Sequence, residues 1–403
     1  MSEEDALSKV QKYLHRQGID RLSPIARKVE REGTPNRRNV VLVFMESMSA
    51  NLMGTFGSDK KLTPYLDSLY QQSLSFSHFY SSGIHTNHGI YSTLYSFPAI
   101  MKRNAMKGSV IPVYSGLPTV LQENGYCNLF FMTHESQYDN MNAFLRTNGF
   151  DEIYAQENYP SEKVVNSFGV QDDFMYQYAL PILNERAGTG NPFFSVLLSI
   201  SNHPPYVIPP YFHPHSDVLE EQIVEYADWS IRQFMQAAEK QPWFDNTIFV
   251  FLGDHGKMVG TPECEMPQSY NHIPLMIYGK DIKPGVYDGF GGQVDVSPTL
   301  LGLLNISYLQ NNFGVNLLEE ERPCMFFTAD NLIGARDSVN MFIYSPDSQQ
   351  EFKYKLEEGK LHAATGTDEE AFRNLKDYCF SMLQSTESLV KEHKTLDKVS
   401  VKK

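Results

Sequence analysis

The chain contains a series of short, uninterrupted apolar runs, and this feature limits its fold more than any other. A strand with one face in solvent alternates apolar and polar residues, whereas a strand buried on both faces is apolar throughout, as in a parallel sheet. The runs are NVVLVFM (39–45), YCNLFFMT (126–133), FFSVLLSI (193–200), TIFVFL (247–252), PLMIY (274–278) and CMFFTA (324–329). We therefore predict that these segments are strands of one largely parallel sheet.

Helical patterns lie between the apolar runs. Thr63 and Pro64 have the composition of an N-cap followed by proline at the first helical position. Further helices are predicted over 89–97, 117–124, 172–186 and 218–240. The alternation of strands and helices predicts a doubly wound α/β sandwich, in which ligands bind beyond the carboxyl ends of the strands.

The two ends of the chain differ from this α/β region. We predict an amphipathic helix and a charged linker over 1–37, the α/β domain over 38–335, and a small C-terminal subdomain over 336–403. Within the last unit, the expected elements are short strands over 340–364, a hairpin at Glu358-Gly359 and a helix from 368 to about 390.

Composition excludes several kinds of partner and site. The net charge of −14 and the isoelectric point near 5.3 oppose attraction to nucleic-acid phosphates, so no nucleic acid partner is expected. The four cysteines lack CxxC spacing and are expected to be inert thiols. No stretch reaches the roughly 20 apolar residues of a membrane span, and no signal peptide is apparent. The chain is therefore expected to be either a soluble cytoplasmic protein or a soluble piece of a longer membrane protein.

Polar side chains follow several of the predicted strands. Glu46 follows the first run, Asp254 and His255 follow the fourth, and Thr86 lies in a loop after the apolar segment LSFSHFYSSG. The carboxyl ends of parallel strands meet at one edge of a sheet, so we expect these side chains to converge. Two carboxylates and an imidazole suit a divalent cation, and a hydroxyl beside such a cation becomes a usable nucleophile. The alternative is that Glu46 is a turn residue and Thr86 a helix cap.

These segments, in this order, resemble the sulfatase-type catalytic domain of the lipoteichoic acid synthase and phosphoglycerol transferase family, within the alkaline phosphatase superfamily. The resemblance runs from about 38 to about 305. It is carried by NVVLVFMES, LTPYLDSL, FYSSGIHTNHGIYSTLYSFP, FFSVLLSISNHPPY, FVFLGDHG and NHIPLMIYG. It implies an alkaline phosphatase-like α/β/α sandwich with a mostly parallel central sheet and a small C-terminal α+β subdomain.

The resemblance also implies a role for each matching residue. Glu46, Thr86, Asp254 and His255 fall where the family binds one catalytic metal, commonly manganese, and where its threonine becomes phosphorylated. Magnesium or zinc would also suit these ligands. His203, in SNHPP, falls where the family has a substrate-contacting histidine, and we expect it to contact or protonate the leaving group.

The loop after 126–133 departs from the family pattern. Members that transfer phosphoglycerol place a Trp and an Arg there, whereas this chain has HESQYDN (134–140). We expect His134, Tyr138 and Asp139 to contact substrate, with Tyr138 in place of the family's aromatic residue. Because no Arg follows, a planar bidentate phosphate donor is missing, and recognition of glycerol phosphate stays open.

Three further histidines adjoin the matching motifs. His85 and His272 are expected to contact substrate oxygens, and together with His88 they could hold a second zinc, as in some phosphoethanolamine transferases. His272 directly precedes a predicted strand, and for this residue the alternative is a hydrogen bond that orients another site residue.

The combined prediction is a metal-dependent phosphotransferase or phosphoesterase with Thr86 as nucleophile, moving a phosphoglycerol- or phosphoethanolamine-type group onto an envelope lipid or glycan. The alternatives are a sulfuric-ester or phosphonate hydrolase at the same site, and a catalytically silent glycan-binding domain. A classical sulfatase is excluded, because none of the cysteines has the Cys/Ser-x-Pro-x-Arg context of formylglycine.

The location follows from the resemblance alone. Relatives usually carry N-terminal membrane helices and display this domain outside the cytoplasmic membrane. The resemblance therefore implies an extracytoplasmic domain that acts on a phospholipid or glycan ester. It also implies association with the cell membrane through a segment absent from this chain.

Overall fold

The computed structural model describes residues 1–19, 22–108, 110–357, 359–364 and 369–397. The strands are β1 (Arg27–Val29), β2 (Asn39–Met45), β3 (Leu74–Tyr80), β4 (Cys127–Met132), β5 (Glu152–Tyr154), β6 (Val164–Asn166), β7 (Gly169–Val170), β8 (Phe193–Leu198), β9 (Thr247–Gly253), β10 (Leu275–Tyr278), β11 (Gly285–Gly292), β12 (Tyr308–Gln310), β13 (Met325–Thr328), β14 (Ile333–Arg336), β15 (Asn340–Ser345), β16 (Gln350–Glu357) and β17 (Lys360–Ala363). The α-helices are α1 (Glu3–Tyr13), α2 (Pro64–Gln71), α3 (Thr86–Tyr95), α4 (Leu117–Glu123), α5 (Met141–Thr147), α6 (Asp172–Ala187), α7 (Leu219–Ala238), α8 (Gln268–Asn271), α9 (Val296–Leu303) and α10 (Glu369–Lys391).

Eight strands form the central sheet, in the order β11-β3-β10-β9-β2-β8-β4-β5. Strand β2 pairs in parallel with both β8 and β9, and the pairs β8–β4, β4–β5 and β3–β11 are also parallel. Strand β10 is antiparallel to both of its neighbours, β9 and β3. The prediction of a mostly parallel sheet is therefore confirmed, and the run 274–278 is the strand that reverses direction.

The central strands are apolar throughout because both faces of the sheet are covered. Every residue of β2 is buried, and successive side chains of a strand point to opposite faces. Val40, Leu42 and Phe44 pack into one core with residues of α3, α4 and α9. Val41 and Val43 pack into a second core with residues of α2, α6 and α7. The result is the three-layer α/β/α sandwich that the sequence predicts.

The predicted helices are present with small shifts in their ends. Helix α3 begins at Thr86, three residues before the predicted start. Pro64 is the first residue of α2, but the hydroxyl of Thr63 donates to Asp67 and caps no backbone amide. Among the described residues the longest helix is α10, with 23 residues against 20 in α7.

A second, five-stranded antiparallel sheet follows, with strands β13 to β17 in chain order. The placement of CMFFTA (324–329) in the central sheet was wrong, because β13 is an edge strand of this second sheet. Its two faces are nevertheless both buried: Phe326 packs in a core with Phe372 of α10, and Phe327 packs with Tyr80. A continuous apolar run indicates that both faces of a strand are buried, and an antiparallel strand can also be buried on both faces. This sheet begins before residue 336, where the sequence suggested a boundary.

The ends of the chain pack onto the rest of the fold. Helix α1 lies against α10, and β1 pairs antiparallel with β12. Strands β16 and β17 form an antiparallel pair beside Gly359, whose φ of 78° is in the left-handed region; Glu358, and residue 368 before α10, lie outside the described residues. In the part of the chain that is described, no helix has the length and apolar content to cross a membrane. All four cysteines are free thiols.

Candidate metal centre

The parallel pairing of β2 with β9 brings two carboxylates together at the edge of the central sheet. Met45 is opposite Gly253 in the register, so the next residues, Glu46 and Asp254, leave the sheet side by side. Glu46 is 1% exposed and Asp254 is fully buried. One potential ligand atom from each of Glu46, Asp254 and His255 lies within 4.8 Å of the other two. The structure thus brings together three of the four residues expected to hold a metal.

One oxygen of Asp254 is buried without a partner. Oδ1 accepts the backbone N–H groups of Ser47, at 2.8 Å, and of His255, at 2.7 Å. Oδ2 is buried and accepts no hydrogen bond from the protein. Leaving a buried carboxylate oxygen unsatisfied is unfavourable, and a cation among the three side chains would satisfy it. The unpartnered Oδ2 is therefore suited to be a metal ligand.

The ring of His255 is oriented as a ligand. Its Nδ1 lies 2.7 Å from the carbonyl oxygen of Gly256. A carbonyl can only accept, so Nδ1 carries the proton and Nε2 presents its lone pair. Nε2 lies 3.8 Å from Glu46 Oε1 and 3.5 Å from Asp254 Oδ2. The available nitrogen therefore faces both carboxylates.

Glu46 is held by hydrogen bonds on its backbone and its side chain. Its N–H donates to Ser199 Oγ at 3.0 Å, and Oε1 accepts the hydroxyl of Ser47 at 2.6 Å. Burial, and next the charge of Asp254, raise the pKa of Glu46 well above its usual range. Two buried carboxylates disfavour each other's ionisation, and a divalent ion would keep both charged. Two oxygens and one nitrogen fit manganese, magnesium or zinc.

Thr86 is the first residue of α3 and faces the same carboxylate. Its hydroxyl donates to Glu46 Oε2 at 3.3 Å. The close approach of α3 depends on Gly89, because a Cβ there would lie 2.2 Å from the carbonyl oxygen of Asp254. The first turn of a helix offers unpaired amides and a positive dipole end to an anion. Thr86 thus begins a helix whose first turn suits a negatively charged group, and its hydroxyl contacts one of the two carboxylates.

His203 lies on the segment that follows β8, directly after a residue that contacts the centre. The neighbouring Asn202 donates from Nδ2 to the carbonyls of Glu46, at 3.1 Å, and Ser47, at 3.3 Å. His203 Nδ1 lies 2.6 Å from the carbonyl of Pro204, which leaves Nε2 as the available nitrogen. Its ring packs 4.2 Å from that of Phe168.

Aromatic rings continue from His203 to the loop 134–140. The ring of Tyr138 lies 6.1 Å from Phe168 and 4.8 Å from His134. Tyr138 is 44% exposed, whereas His134 is buried, and burial lowers the pKa of His134. His134, Tyr138, Phe168 and His203 thus form a connected set of rings, with Tyr138 as the member most open to a ligand.

Asp139 has protein partners on both carboxylate oxygens. Oδ1 pairs with Lys107 Nζ at 2.7 Å, and Oδ2 accepts from Asn87 Nδ2 at 3.1 Å. Asn87 directly follows Thr86, so Asp139 connects the loop 134–140 to the start of α3. These contacts hold Asp139 in place, and its contact with substrate stays a prediction.

The other three histidines have their own contacts. His85 Nε2 lies 2.6 Å from Asp330 Oδ1, in the loop between β13 and β14. His88 Nε2 lies 3.2 Å from the carbonyl of Arg103, and burial lowers the pKa of His88 to about 4. His272 Nε2 lies 2.9 Å from the carbonyl of Ser77.

Rings also enclose His272. Its imidazole stacks on Tyr80 and meets Phe56 edge to face. Among the described residues, the trio of Glu46, Asp254 and His255 is the one group of three or more metal-ligating side chains within ligand reach of one another. In the described part of the chain, the three remaining histidines therefore form no second group of this kind.

Lys257 was missed by the sequence reasoning. Its Nζ donates to Asn202 Oδ1 at 2.6 Å and lies 5.4 Å from the ring centre of Tyr206. Burial lowers the pKa of Lys257 to about 8. The signal in the sequence was its position in GDHGK, two residues after His255.

Comparisons with known proteins agree with the fold. The profile of the Sulfatase family matches residues 38–306. The lipoteichoic acid synthase-like protein YvgJ of Bacillus subtilis is 25% identical, over 72% of this chain and 51% of that protein. A lipoteichoic acid synthase of Staphylococcus aureus (strain COL) is 23% identical, over 86% of this chain and 57% of that protein. The chain thus spans about half the length of the curated relatives it matches.

Two solved structures are similar over almost the whole chain. A protein in the alkaline phosphatase superfamily from Vibrio parahaemolyticus has a TM-score of 0.88 and 25% identity, covering 98% of this chain and 97% of that one. The lipoteichoic acid synthase LtaP from Listeria monocytogenes has a TM-score of 0.76 and 22% identity, covering 96% and 98%. On the family match, this chain belongs to the sulfatase family, within the alkaline phosphatase superfamily, and is a homologue of the lipoteichoic acid synthases.

Proposed function

We propose that this chain is a metal-dependent phosphotransferase or phosphoesterase in which Thr86 is the nucleophile. Membership of the sulfatase family and homology to lipoteichoic acid synthases support an enzyme that acts on phosphate or sulfate esters. The observation that carries the finer proposal is the hydrogen bond from Thr86 Oγ1 to Glu46 Oε2, at 3.3 Å, beside the unpartnered Oδ2 of Asp254. Nucleophile and metal ligands therefore share one site.

Glu46, Asp254 and His255 would hold one divalent cation, with Thr86 beside them, and we propose manganese, with magnesium or zinc as further ions that these ligands suit. A cation bound there would act as a Lewis acid on the ester and lower the pKa of the Thr86 hydroxyl. The unpartnered Asp254 Oδ2 and the available His255 Nε2 supply ligand atoms without breaking an existing hydrogen bond.

The side chains of the site support a two-step transfer. Glu46 Oε2 receives the hydroxyl proton of Thr86 as the bond from Oγ1 to phosphorus forms and the bond to the leaving oxygen breaks. His203, in its protonated form, gives the Nε2 proton to that oxygen. A hydroxyl of the acceptor, or water, then attacks phosphorus and gives its proton to His203 Nε2. The bond from phosphorus to Thr86 Oγ1 breaks, and Glu46 Oε2 returns the proton to Oγ1. Transfer and hydrolysis differ only in this second acceptor.

The substrate proposal rests on the relatives. Several of them are named lipoteichoic acid synthases, so we propose that this chain moves a phosphoglycerol- or phosphoethanolamine-type group between envelope lipids or glycans. We further propose that the domain works on the outer side of the cell membrane. In that setting a segment outside the present sequence would attach it to the membrane.

The test is turnover of a panel of chromogenic phosphodiester, phosphomonoester and sulfate esters, with manganese, magnesium, zinc or a chelator. We expect turnover of a phosphate ester that a chelator removes and a metal restores. Thr86→Ala should abolish turnover while Glu46, Asp254 and His255 still bind the metal. Thr86→Ser should keep part of the activity, because it keeps the hydroxyl and loses one methyl group.

A covalent intermediate provides the second readout. Wild-type protein denatured during turnover should carry a phosphoryl or phosphoglyceryl group on Thr86, measured by peptide mass. A sulfo group there would favour the sulfuric-ester hydrolase. Metal binding without turnover of any ester would favour the silent binding domain. An Ala variant that turns over at the wild-type rate would contradict the nucleophile assignment.

A further inference from the structure

We propose that Lys257, positioned by Asn202, forms an anion-binding subsite beside the metal centre and contacts an anionic oxygen of the ester substrate. This inference rests on the proposed function, because it names how the same site recognises its substrate's charge. It adds a cationic side chain to the metal ligands, the nucleophile and His203.

The contacts of Lys257 link its ammonium group to the backbone beside the centre. Nζ donates to Asn202 Oδ1 at 2.6 Å. The amide nitrogen of the same Asn202 side chain donates to the carbonyls of Glu46 and Ser47. Asn202 is 1% exposed, so its side-chain amide is held in place between Lys257 and the backbone of Glu46. One buried side chain therefore separates the ammonium of Lys257 from the backbone of a proposed metal ligand.

Glu46 and Glu220 attract the charge of Lys257, but neither forms a direct ion pair with it among the described residues. Within the described residues, no Asp or Glu forms an ion pair with Lys257, whereas Lys107 pairs with Asp139. Lys257 is half-buried, and its Nζ lies over the ring of Tyr206. Partial burial of an unpaired ammonium is unfavourable unless another group compensates it. The ring face compensates part of this cost, and an anionic ligand would compensate the rest.

The ammonium group also has donors to spare. Lysine carries three N–H donors and no acceptor, and Asn202 Oδ1 is the one acceptor that the described residues provide within hydrogen-bonding distance. Phosphate and sulfate esters carry anionic oxygens that accept such charge-assisted bonds. The loop 134–140 contributes no Lys or Arg to this centre. Lys257 therefore offers the positive charge that a bound ester oxygen would meet.

The experiment measures binding of inorganic phosphate to the full chain by calorimetry, with saturating manganese. We expect Lys257→Met to weaken phosphate binding about tenfold or more, because it removes one charged hydrogen bond and keeps the aliphatic stem. Lys257→Arg should retain most of the binding, since it retains the charge. Lys353→Met is the matched control. Lys353 lies in the second sheet, with its Nζ 5.9 Å from the ring centre of Phe372, and this substitution should leave phosphate affinity unchanged.

A manganese titration of each variant separates ligand binding from loop positioning. We expect equal manganese affinity in wild type, Lys257→Met and Lys257→Arg. Phosphate affinity unchanged in Lys257→Met would overturn the subsite, as would undetectable phosphate binding in wild type. A parallel loss of manganese affinity would also overturn it, because Lys257 would then only hold the His255 loop. None of these readouts needs turnover, so failure of the subsite is distinguishable from failure of the Thr86 proposal.

Discussion

Gly89 in α3 packs directly against the backbone of Asp254. A Cβ built on Gly89 would lie 2.2 Å from the carbonyl oxygen of Asp254 and 2.9 Å from its carbonyl carbon. The obstruction is backbone, so it cannot rotate away as a flexible side chain would. The distance between the start of α3, with Thr86, and the end of β9, with the metal ligands, therefore depends on the absence of a side chain at this one position.

Gly89→Ala should move Thr86 away from the carboxylates. Alanine in a helix normally stabilises by roughly 1 kcal/mol relative to glycine, but overpacking here should destabilise by about 1–3 kcal/mol. A shift of about 1 Å can lower turnover on the order of a hundredfold. The measurements are urea unfolding and ester turnover. Gly285→Ala, where no atom lies within 4 Å of the added Cβ, is the control. A stabilised, fully active Gly89→Ala protein would contradict the packing argument.

Asp254→Asn should lower metal affinity more than His203→Ala does. Asp254 supplies an unpartnered, buried carboxylate oxygen to the centre, and the amide of Asn has no negative charge to offer a cation. His203 packs on Phe168, outside the trio of potential ligands, and should serve the substrate only. Calorimetric titration with manganese compares the two variants. Equal losses of metal affinity in the two variants would contradict the assignment of Asp254 to the metal and His203 to the substrate.

Replacing Arg322 should destabilise the fold strongly. Its guanidinium forms a bidentate pair with the fully buried Asp295, with Nε–Oδ2 at 2.9 Å and Nη2–Oδ1 at 2.5 Å. Arg322→Met leaves the Asp295 charge unpaired in the interior, which costs roughly 3–5 kcal/mol of unfolding free energy. Lys280→Met, which breaks an exposed pair with Asp245, should leave the free energy of unfolding nearly unchanged.

Urea unfolding of both variants provides the comparison. Arg322→Lys should lie between wild type and Arg322→Met, because an ammonium keeps the charge but cannot bond both oxygens of Asp295 in one plane. Similar unfolding free energies for Arg322→Met and Lys280→Met would show that burial of the pair has little effect on stability.

Buried His88 should make the protein less stable in acid. Burial lowers its pKa in the folded state to about 4, from an ordinary value of 6.5. Between these values the unfolded chain binds more protons, so stability falls as the pH is lowered from about 6.5 toward 4. His88→Gln should reduce this slope by up to about 1.4 kcal/mol per pH unit. Urea unfolding of chelator-treated protein at several pH values tests this, and an unchanged slope would count against it.

The sequence alone determined five of the eight strands of the central sheet, β2, β4, β8, β9 and β10, and the edge at which Glu46 and Asp254 meet. The run 39–45 is apolar because both of its faces are covered, and the polar residues Glu46 and Asp254 follow directly where β2 and β9 end. Both features are local, because the residues of a strand themselves indicate whether the strand is buried and where it ends. The position of Thr86 was predictable in the same way, because the residue follows the segment that forms β3.

Tertiary structure decided the features that depend on residues distant in the chain. Strand β10 runs antiparallel, and β13 joins the second sheet, although both are as apolar as the parallel strands. A run of apolar residues records how much surface is buried but not which partner covers it, nor in which direction the strand runs. The pairing of Lys257 with Asn202 likewise joins residues 55 positions apart. Their contact exists only because β8 and β9 both lie beside β2, which brings the loops after them to the same edge of the sheet.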